Sequence, residues 1–359
     1  MKRVLAVITT SFSKTGGLSS VMLNYYHFID KTQVAIDFCS TNECSSELKE
    51  ELKDNGSSYF KLPKRILIIN YWYSLKKMAA NYDVIHIHAN SQTAAIETTA
   101  AKMAGVEKII VHNHTSRPQY AWIGKLLSPI YHATYTDAVA CSRPAGDWIY
   151  GVGNYKIIKN AIDVDKFAFS PELRTEYRKA LGINDDEFVI GHIGKFMDAK
   201  NHPFLIRMFA EYLKLNPKSK LLLVGDGVLR PIVEREITKN KLENSVILTG
   251  LRSDIKQLIQ VFDVFVFPSI YEGLPLTVLE AQSSGLACIM SSNVTSEVHI
   301  ADNNYMLDLE KGEAYWAKYI YKLTFKERTQ QSLYNREAFT KAGYNIKSEA
   351  HVLQNIYLK

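Results

Sequence analysis

Two α/β domains, each a doubly wound parallel sheet, are predicted by three observations on this chain. Its 359 residues favour two domains over one. Short, near-continuously apolar runs alternate with helix-period segments almost throughout, as expected of strands covered on both faces. The alternation falls into two batches, interrupted by Asn160-Ala-Ile-Asp-Val-Asp-Lys-Phe-Ala-Phe-Ser-Pro171.

In the first batch the strand candidates are 4–9, 34–39, 84–88, 108–112, 138–141 and 156–158. In the second they are 188–193, 221–224, 246–248, 264–267 and 287–290. Stretches such as 17–29, 92–104, 203–214 and 228–239 have helical length and spacing. The last fifty residues read as helices only, over 314–325, 332–342 and 347–357. The expected division is 1–162, 163–345 and a closing helical segment 346–359.

An apolar fraction of 47% lets each half bury a full core. The net charge of +6, from 43 basic and 37 acidic residues, is too weak a bias to imply nucleic acid as a partner. The charge is uneven, however. Between Lys61 and Lys77 there are five basic residues and no acidic one, whereas Asp30 to Asp54 carries seven acidic and three basic. Lys61-Leu-Pro-Lys-Arg65 and Tyr71-Trp-Tyr-Ser-Leu-Lys-Lys77 mix basic and aromatic residues. That mixture suits an anionic membrane surface, although an ordinary half-buried helix is the commoner explanation. The four cysteines form no Cys-x-x-Cys pair and no disulfide framework, which points to a reducing cytosol. The first residues lack a small-residue cleavage site, and no window has the length of a membrane span. A cytoplasmic protein, at or near the inner face of the membrane, is expected.

The stretch with most chemical content is Pro268-Ser-Ile-Tyr-Glu-Gly-Leu-Pro-Leu-Thr-Val-Leu-Glu280-Ala-Gln-Ser-Ser-Gly285, directly after the apolar run 264–267. Pro275 suits the first turn of a helix, and Gly285 suits its end. Glu272 then stands at the mouth of a helix N-terminus and Glu280 about one turn inside. Between them lie Gly273, Leu274, Pro275, Leu276 and Thr277, and the free amides within 274–277 point outward with a partial positive charge. A phosphate flanked by hydroxyl-rich groups fits this pattern, so a phosphorylated sugar or a nucleotide is the expected ligand.

Gly191-His-Ile-Gly-Lys195-Phe-Met-Asp-Ala-Lys200-Asn-His-Pro opens the second half. Two lysines at a helix entrance can grip a diphosphate and neutralise charge on a leaving group. Gly225-Asp-Gly227 and Gly250-Leu-Arg252 each follow a strand candidate; they fit a nucleobase pocket, and tight turns explain them as well. In the first half, Gly16-Gly17 lets backbone amides approach an anion, though a plain strand-to-helix turn accounts for it equally. It is neither a dinucleotide fingerprint nor a Walker loop. His86, His88, His112 and His114 end two neighbouring strand candidates. Metal ligation has to be considered, but no cysteine or carboxylate cluster accompanies them. Capping of strand ends is the plain reading for His86 and His112. His114 is set apart by the turn Thr115-Ser116-Arg117-Pro118 that follows it, where a neutral imidazole suits a sugar hydroxyl or a proton partner.

Taken in order, Gly16-Gly17, His114, Asn160-Ala-Ile-Asp163, Gly194-Lys195, Lys200-Asn201, Gly225-Asp-Gly227 and Glu272-x7-Glu280 with Ala281 and Gly285 resemble the retaining glycosyltransferase family 4, of GT-B fold. The wording around Glu272 and Ala281-Gln-Ser-Ser-Gly-Leu286 is most similar to the branch that builds bacterial capsular and exopolysaccharides. The resemblance implies two Rossmann-like domains facing a cleft, with the last helix crossing back to the N-terminal domain. It implies a donor, a nucleoside-diphosphate sugar with UDP preferred, in the C-terminal domain. The N-terminal domain would take a lipid-linked or growing glycan acceptor. Lys195 and Lys200 would then hold the diphosphate, Glu280 the ribose hydroxyls and Glu272 the sugar. The amides of 274–277 would meet phosphate or sugar, and His114 the transferred sugar or the acceptor. With no Asp-x-Asp motif in a suitable loop, no metal and no cofactor is expected. Two departures stand out. Lys195 replaces a frequent Arg and loses bidentate bonding. Ser292-Asn-Val-Thr-Ser-Glu297 replaces the usual Gly-Gly-x-x-Glu segment. A GT-B sugar-nucleotide epimerase and a non-catalytic donor-binding subunit are the alternative readings.

Overall fold

A computed structural model describes residues 1–10, 12–13, 17–115 and 121–359. Gly16 and the turn at 116–118 lie outside the described residues. The chain divides into two compact units, one formed by Met1–Ala161 with Ile346–Lys359, the other by Ile162–Asn345.

The first unit alternates β1 (Lys2–Ile8), α1 (Gly17–Phe28), β2 (Val34–Ser40), α2 (Ser46–Asp54), β3 (Tyr59–Lys61), α3 (Ile68–Ala79) and β4 (Val84–Ala89). It continues with α4 (Ala95–Met103), β5 (Lys108–Asn113), α5 (Ala121–Thr134), β6 (Asp137–Ala140), α6 (Arg143–Tyr150) and β7 (Lys156–Ile157). All seven strands run parallel in the order β3-β2-β1-β4-β5-β6-β7. The order reverses between β1 and β4, the switch point at which doubly wound sheets bind ligands. Val84, Ile85 and Ile87 of β4 are buried, as are Ile109, Ile110 and Val111 of β5. Burial on both faces accounts for the apolar run 109–111 in β5, and in β4 it extends to the alternating His86 and His88. Leu5, Val7, Ile85, Ile87, Ile109 and Val111 pack under α3 and α4 on one face.

The second unit opens with α7 (Pro171–Ala180), where Ser170 caps by accepting from Leu173 N–H and Pro171 occupies the first turn. Then follow β8 (Phe188–Ile193), α8 (His202–Leu215), β9 (Ser219–Val224), α9 (Arg230–Lys239), β10 (Val246–Leu248), α10 (Ile255–Val261) and β11 (Val264–Phe267). The unit ends with α11 (Leu276–Ser283), β12 (Ala287–Ser291), β13 (Asn304–Leu307), α12 (Glu313–Lys322) and α13 (Arg328–Lys341). Its six parallel strands take the order β10-β9-β8-β11-β12-β13, with the switch point between β8 and β11.

The eleven strand candidates of the sequence all appear, shifted at most by a residue or two. Two strands were not anticipated, β3 and β13. They extend sheet edges beyond β2 and β12 and have only three and four residues.

The last helix, α14 (Ile346–Leu358), packs on α1, β1 and β2 of the first unit. Its Tyr357 hydroxyl shares a 2.6 Å hydrogen bond with His86 Nδ1, and Gln354 Oε1 accepts from the Asp30 N–H at 2.9 Å. Among the described residues no helix is long and apolar enough to cross a membrane.

Candidate functional site

At the carboxyl edge of the second sheet, three loops nest on one another. Gly194, which follows β8, donates its N–H to Val224 O at 3.0 Å. Gly225, after β9, has φ +139° and donates to Gly250 O at 3.0 Å. A Cβ on Gly225 would lie 2.1 Å from Gly194 O, and one on Gly227 would lie 2.4 Å from Phe196 O. Both glycines are therefore required by close backbone approach, which is why Gly-Asp-Gly appears at this strand end.

The lysine loop then runs outward. Lys195 is exposed and forms no ion pair with the described residues. Lys200 closes a short turn before Asn201, which takes a left-handed conformation at φ 54° and starts α8. Across the switch point, the loop after β11 is strapped to this one, because Ile270 N–H donates to Ala199 O at 2.8 Å. The strap brings Glu272 to Lys200. Nζ lies 2.7 Å from Oε1, with the side chains 15% and 19% exposed. The ammonium also sits 4.5 Å from the centre of the Phe267 ring. Partial burial on an aromatic floor lowers the local dielectric, so this pair is stronger than an ordinary surface pair.

Helix α11 begins at Leu276, and Pro275 is its cap, one position earlier than the sequence suggested. The N–H groups of Leu276 and Thr277 lie in the first turn, where a helix provides no acceptor, while Pro275 has no N–H to offer. Gly273 is exposed, and a Cβ there would meet nothing within 4 Å. The helix stops as expected. Gly285 has φ +78°, and Leu286 N–H reaches back to Ala281 O at 3.3 Å. Glu280 is partly buried in α11, and no hydrogen bond or ion pair is found for its carboxyl group among the described residues. Burial pushes that carboxyl up to about 7, against a small opposing pull from Lys166. A poised, unpartnered acceptor near a helix N-terminus suits hydroxyl groups of a ligand.

Beneath Lys200 lies a wall that sequence reasoning did not single out. His192 Nδ1–H donates to Val266 O at 2.8 Å, and its ring meets His202 edge-on at 4.9 Å. Burial holds both imidazoles neutral; His202 is pushed down to about 4, with the Lys200 charge adding to the effect. His192 Nε2, both His202 ring nitrogens and Ser269 Oγ are buried without a protein partner. Both histidines flank the quoted lysine loop, as Gly191-His192 and Asn201-His202. Only the fold shows that they stack below it. Arg252, after β10, is engaged elsewhere: Nε and Nη2 grip Asp254 at 2.7 and 2.5 Å.

The first unit carries the remaining candidates at the ends of its strands. Gly17 is the first residue of α1. His88 pairs in register with His112, which brings four imidazoles onto one sheet face. His88 Nδ1 and His114 Nε2 share a 3.0 Å hydrogen bond, and His112 stacks on His114 at 4.1 Å. Burial lowers all four, His86 and His114 to about 3, so each is neutral at pH 7. With Nε2 committed to His88, His114 has Nδ1 left for a ligand. His86, His88 and His112 offer ring nitrogens within 4.8 Å of one another, a spacing a metal ion could bridge. No carboxylate or thiolate joins that group among the described residues.

The family described as "Glycosyl transferases group 1" matches residues 174–337. The chain is 30% identical to the putative glycosyltransferase EpsF of Bacillus subtilis over 99% of this chain and 96% of that protein. It is also 30% identical to an Escherichia coli UDP-Gal:alpha-D-GlcNAc-diphosphoundecaprenol alpha-1,3-galactosyltransferase, over 77% and 76% of the two chains. In structure it is similar to Anabaena HepE in complex with UDP and glucose, with a TM-score of 0.79, 18% identity and 99% of both chains covered. The fold is thus GT-B.

Proposed function

This chain belongs to the glycosyl transferases group 1 family, and from that premise we propose that it is a retaining transferase of family 4. It moves a hexose or N-acetylhexosamine from a nucleoside-diphosphate sugar, UDP-linked by preference, to a lipid-linked or growing glycan in capsule or exopolysaccharide synthesis. The observation that carries this reading is the Lys200–Glu272 pair at the switch point, on the loop that leads into α11, the helix that carries Glu280. The names of the relatives support the chemical classes. One uses UDP-galactose and a diphosphoundecaprenol acceptor, and a structural neighbour holds UDP and glucose.

The geometry supports the following roles within this reading. Lys195, Lys200 and the amides of Leu276 and Thr277 supply positive charge for the diphosphate, so departure of the nucleotide is stabilised without a metal. Glu280 accepts from the ribose hydroxyls. Glu272, steered by Lys200, orients the sugar and stabilises positive charge developing at its anomeric carbon. The bond from that carbon to the phosphate oxygen breaks as the acceptor oxygen attacks on the same face. The departing phosphate takes the acceptor proton, and configuration is kept. His114, neutral and presenting Nδ1, offers a hydrogen bond to the sugar or the acceptor.

Thermal-shift screening against UDP-, GDP- and ADP-sugars, followed by NMR of the product, tests the reading. Stabilisation by a UDP-sugar and an anomer of unchanged configuration are expected. Preference for a GDP-sugar would overturn the nucleotide assignment, and an inverted product would overturn retention. Epimerised sugar nucleotide formed without any acceptor would replace transfer altogether.

A further inference from the structure

We propose that the loop before α3, together with the outer faces of α3 and α5, forms a docking surface for an anionic lipid bilayer. Lone exposed apolar side chains are ordinary on a protein surface, but a concentration of large ones is not. Here Ile66 is 85% exposed, Ile69 73% and Tyr73 64%. On α5, Trp122 is 73% exposed, Leu126 74% and Ile130 47%. Within each helix the spacing is four residues, which stacks the side chains along one face. The opposite face of α3, with Tyr71, Leu75 and Ala79, is the one that enters the core.

Both elements are fastened to the same support. Arg65 is bound to Thr93 O at 2.6 Å and to the buried Glu97 carboxylate at 2.8 Å, which anchors the loop to the start of α4. Trp72 Nε1–H donates to Thr99 Oγ1 of α4 at 3.1 Å. On the other side of α4, Lys102 Nζ donates to Ala133 O of α5 at 2.7 Å. The Gly124 backbone comes so close to the segment before α4 that a Cβ would lie 2.7 Å from the Gln92 amide oxygen. The apolar side chains are therefore presented by fixed neighbours that flank a single helix.

Charge selects the occupant. Residues 55–82 and 108–136 contain no acidic side chain at all. Lys61 and Arg65 are consumed by Glu43 and Glu97, which leaves Lys64, Lys76, Lys77 and Lys125 around the apolar rows. A protein interface core is depleted in lysine. Convex helix faces that mix Trp, Tyr, Leu and Ile with lysines suit the headgroup boundary, where the aromatic rings intercalate and the lysines snorkel to phosphate. The sequence singled out residues between Lys61 and Lys77; the fold adds α5. The proposal takes its purpose from the lipid-linked acceptor reading, but its surface stands without that reading.

Flotation of the full chain with vesicles tests it. Association is expected with vesicles containing phosphatidylglycerol, weak association with phosphatidylcholine alone, and a decline as salt rises. Ile69→Glu and Leu126→Glu should each weaken association about tenfold or more, with the melting temperature and UDP binding unchanged. Lys64→Glu with Lys77→Glu should weaken it and flatten the salt dependence. Equal binding to neutral vesicles, or indifference to both apolar substitutions, would overturn the proposal. So would the absence of vesicle binding together with a dimer that the same substitutions break, which would make this face a contact between copies. Failure of the transfer assay with vesicle binding intact would count against the proposed reaction and leave the surface in place.

Discussion

The ammonium of Lys200 meets the carboxylate of Glu272 at 2.7 Å, although the two residues come from loops after different strands. Each holds the other where the proposed donor would arrive. Lys200→Met and Glu272→Gln should each lower kcat by roughly 10²- to 10³-fold, the scale for removing one charge-stabilising group. The double variant should be less than additively impaired, since each single change already disorders the partner. Steady-state transfer kinetics on the three variants check this. Near-normal turnover by Glu272→Gln would remove Glu272 from the chemistry.

Two glycines separate backbone need from ligand need. Gly225→Ala would place a methyl group 2.1 Å from Gly194 O, so both the melting temperature and UDP-sugar affinity should fall. Gly273→Ala meets nothing within 4 Å, so the protein should melt normally. A selective loss of donor affinity in that variant, read by calorimetry, would show that a ligand approaches the helix mouth as closely as proposed.

Glu280 makes a pH-dependent prediction. Burial raises its carboxyl to about 7. A raised carboxyl contributes stability fully below the ordinary carboxylate range and loses it as pH climbs through about 7. Glu280→Gln should therefore match the parent near pH 4.5 and exceed it at pH 8 by roughly 1–3 kcal/mol in denaturant titrations. Donor binding should move the other way, tightening as pH rises through 7, because only the carboxylate is a full acceptor for the ribose hydroxyls. A stability difference independent of pH would mean that Glu280 is not desolvated.

What could be read in the sequence was what is local. The central strands are buried on both faces and announce themselves as apolar runs, and Pro275 and Gly285 bracket α11 within a few residues of each other in the chain. The edge strands could not be read this way. Tyr59–Lys61 is half exposed and only three residues long, and it is a strand because Phe38, Cys39 and Ser40 offer a ladder to pair with. The same limit applies to the site. Glu272 and Lys200 were identifiable separately, but their pairing depends on the bond from Ile270 to Ala199. The link between His88 and His114 depends on the register of β4 against β5, which no short motif encodes.

Arg328 ties helix ends of the second unit together. Its guanidinium donates to Ser284 O, Gln260 O, Phe262 O and Ile259 O at 2.8 to 2.9 Å, and lies 4.3 Å from the Phe169 ring. These carbonyls lie at or just beyond the ends of α10 and α11, where helices supply no partners of their own. Arg328→Met should cost about 3 kcal/mol, and Lys, with one point charge for four acceptors, should recover little of it. Thermal melts of the two variants check both statements. A Lys variant as stable as the parent would mean that charge alone matters.

The placement of α14 also fixes an order of events during synthesis. The first unit takes in residues 1–161 and 346–359, with 162–345 between them. A ribosome reads that chain once, from the front. Every residue of the second unit is therefore made before residues 346–359. The partners of α14 on α1, β1 and β2 must wait uncovered until Tyr357 emerges and reaches His86. Translation that stops short of α14 would therefore release a finished back half joined to an unfinished front half, a natural substrate for chaperones and proteases.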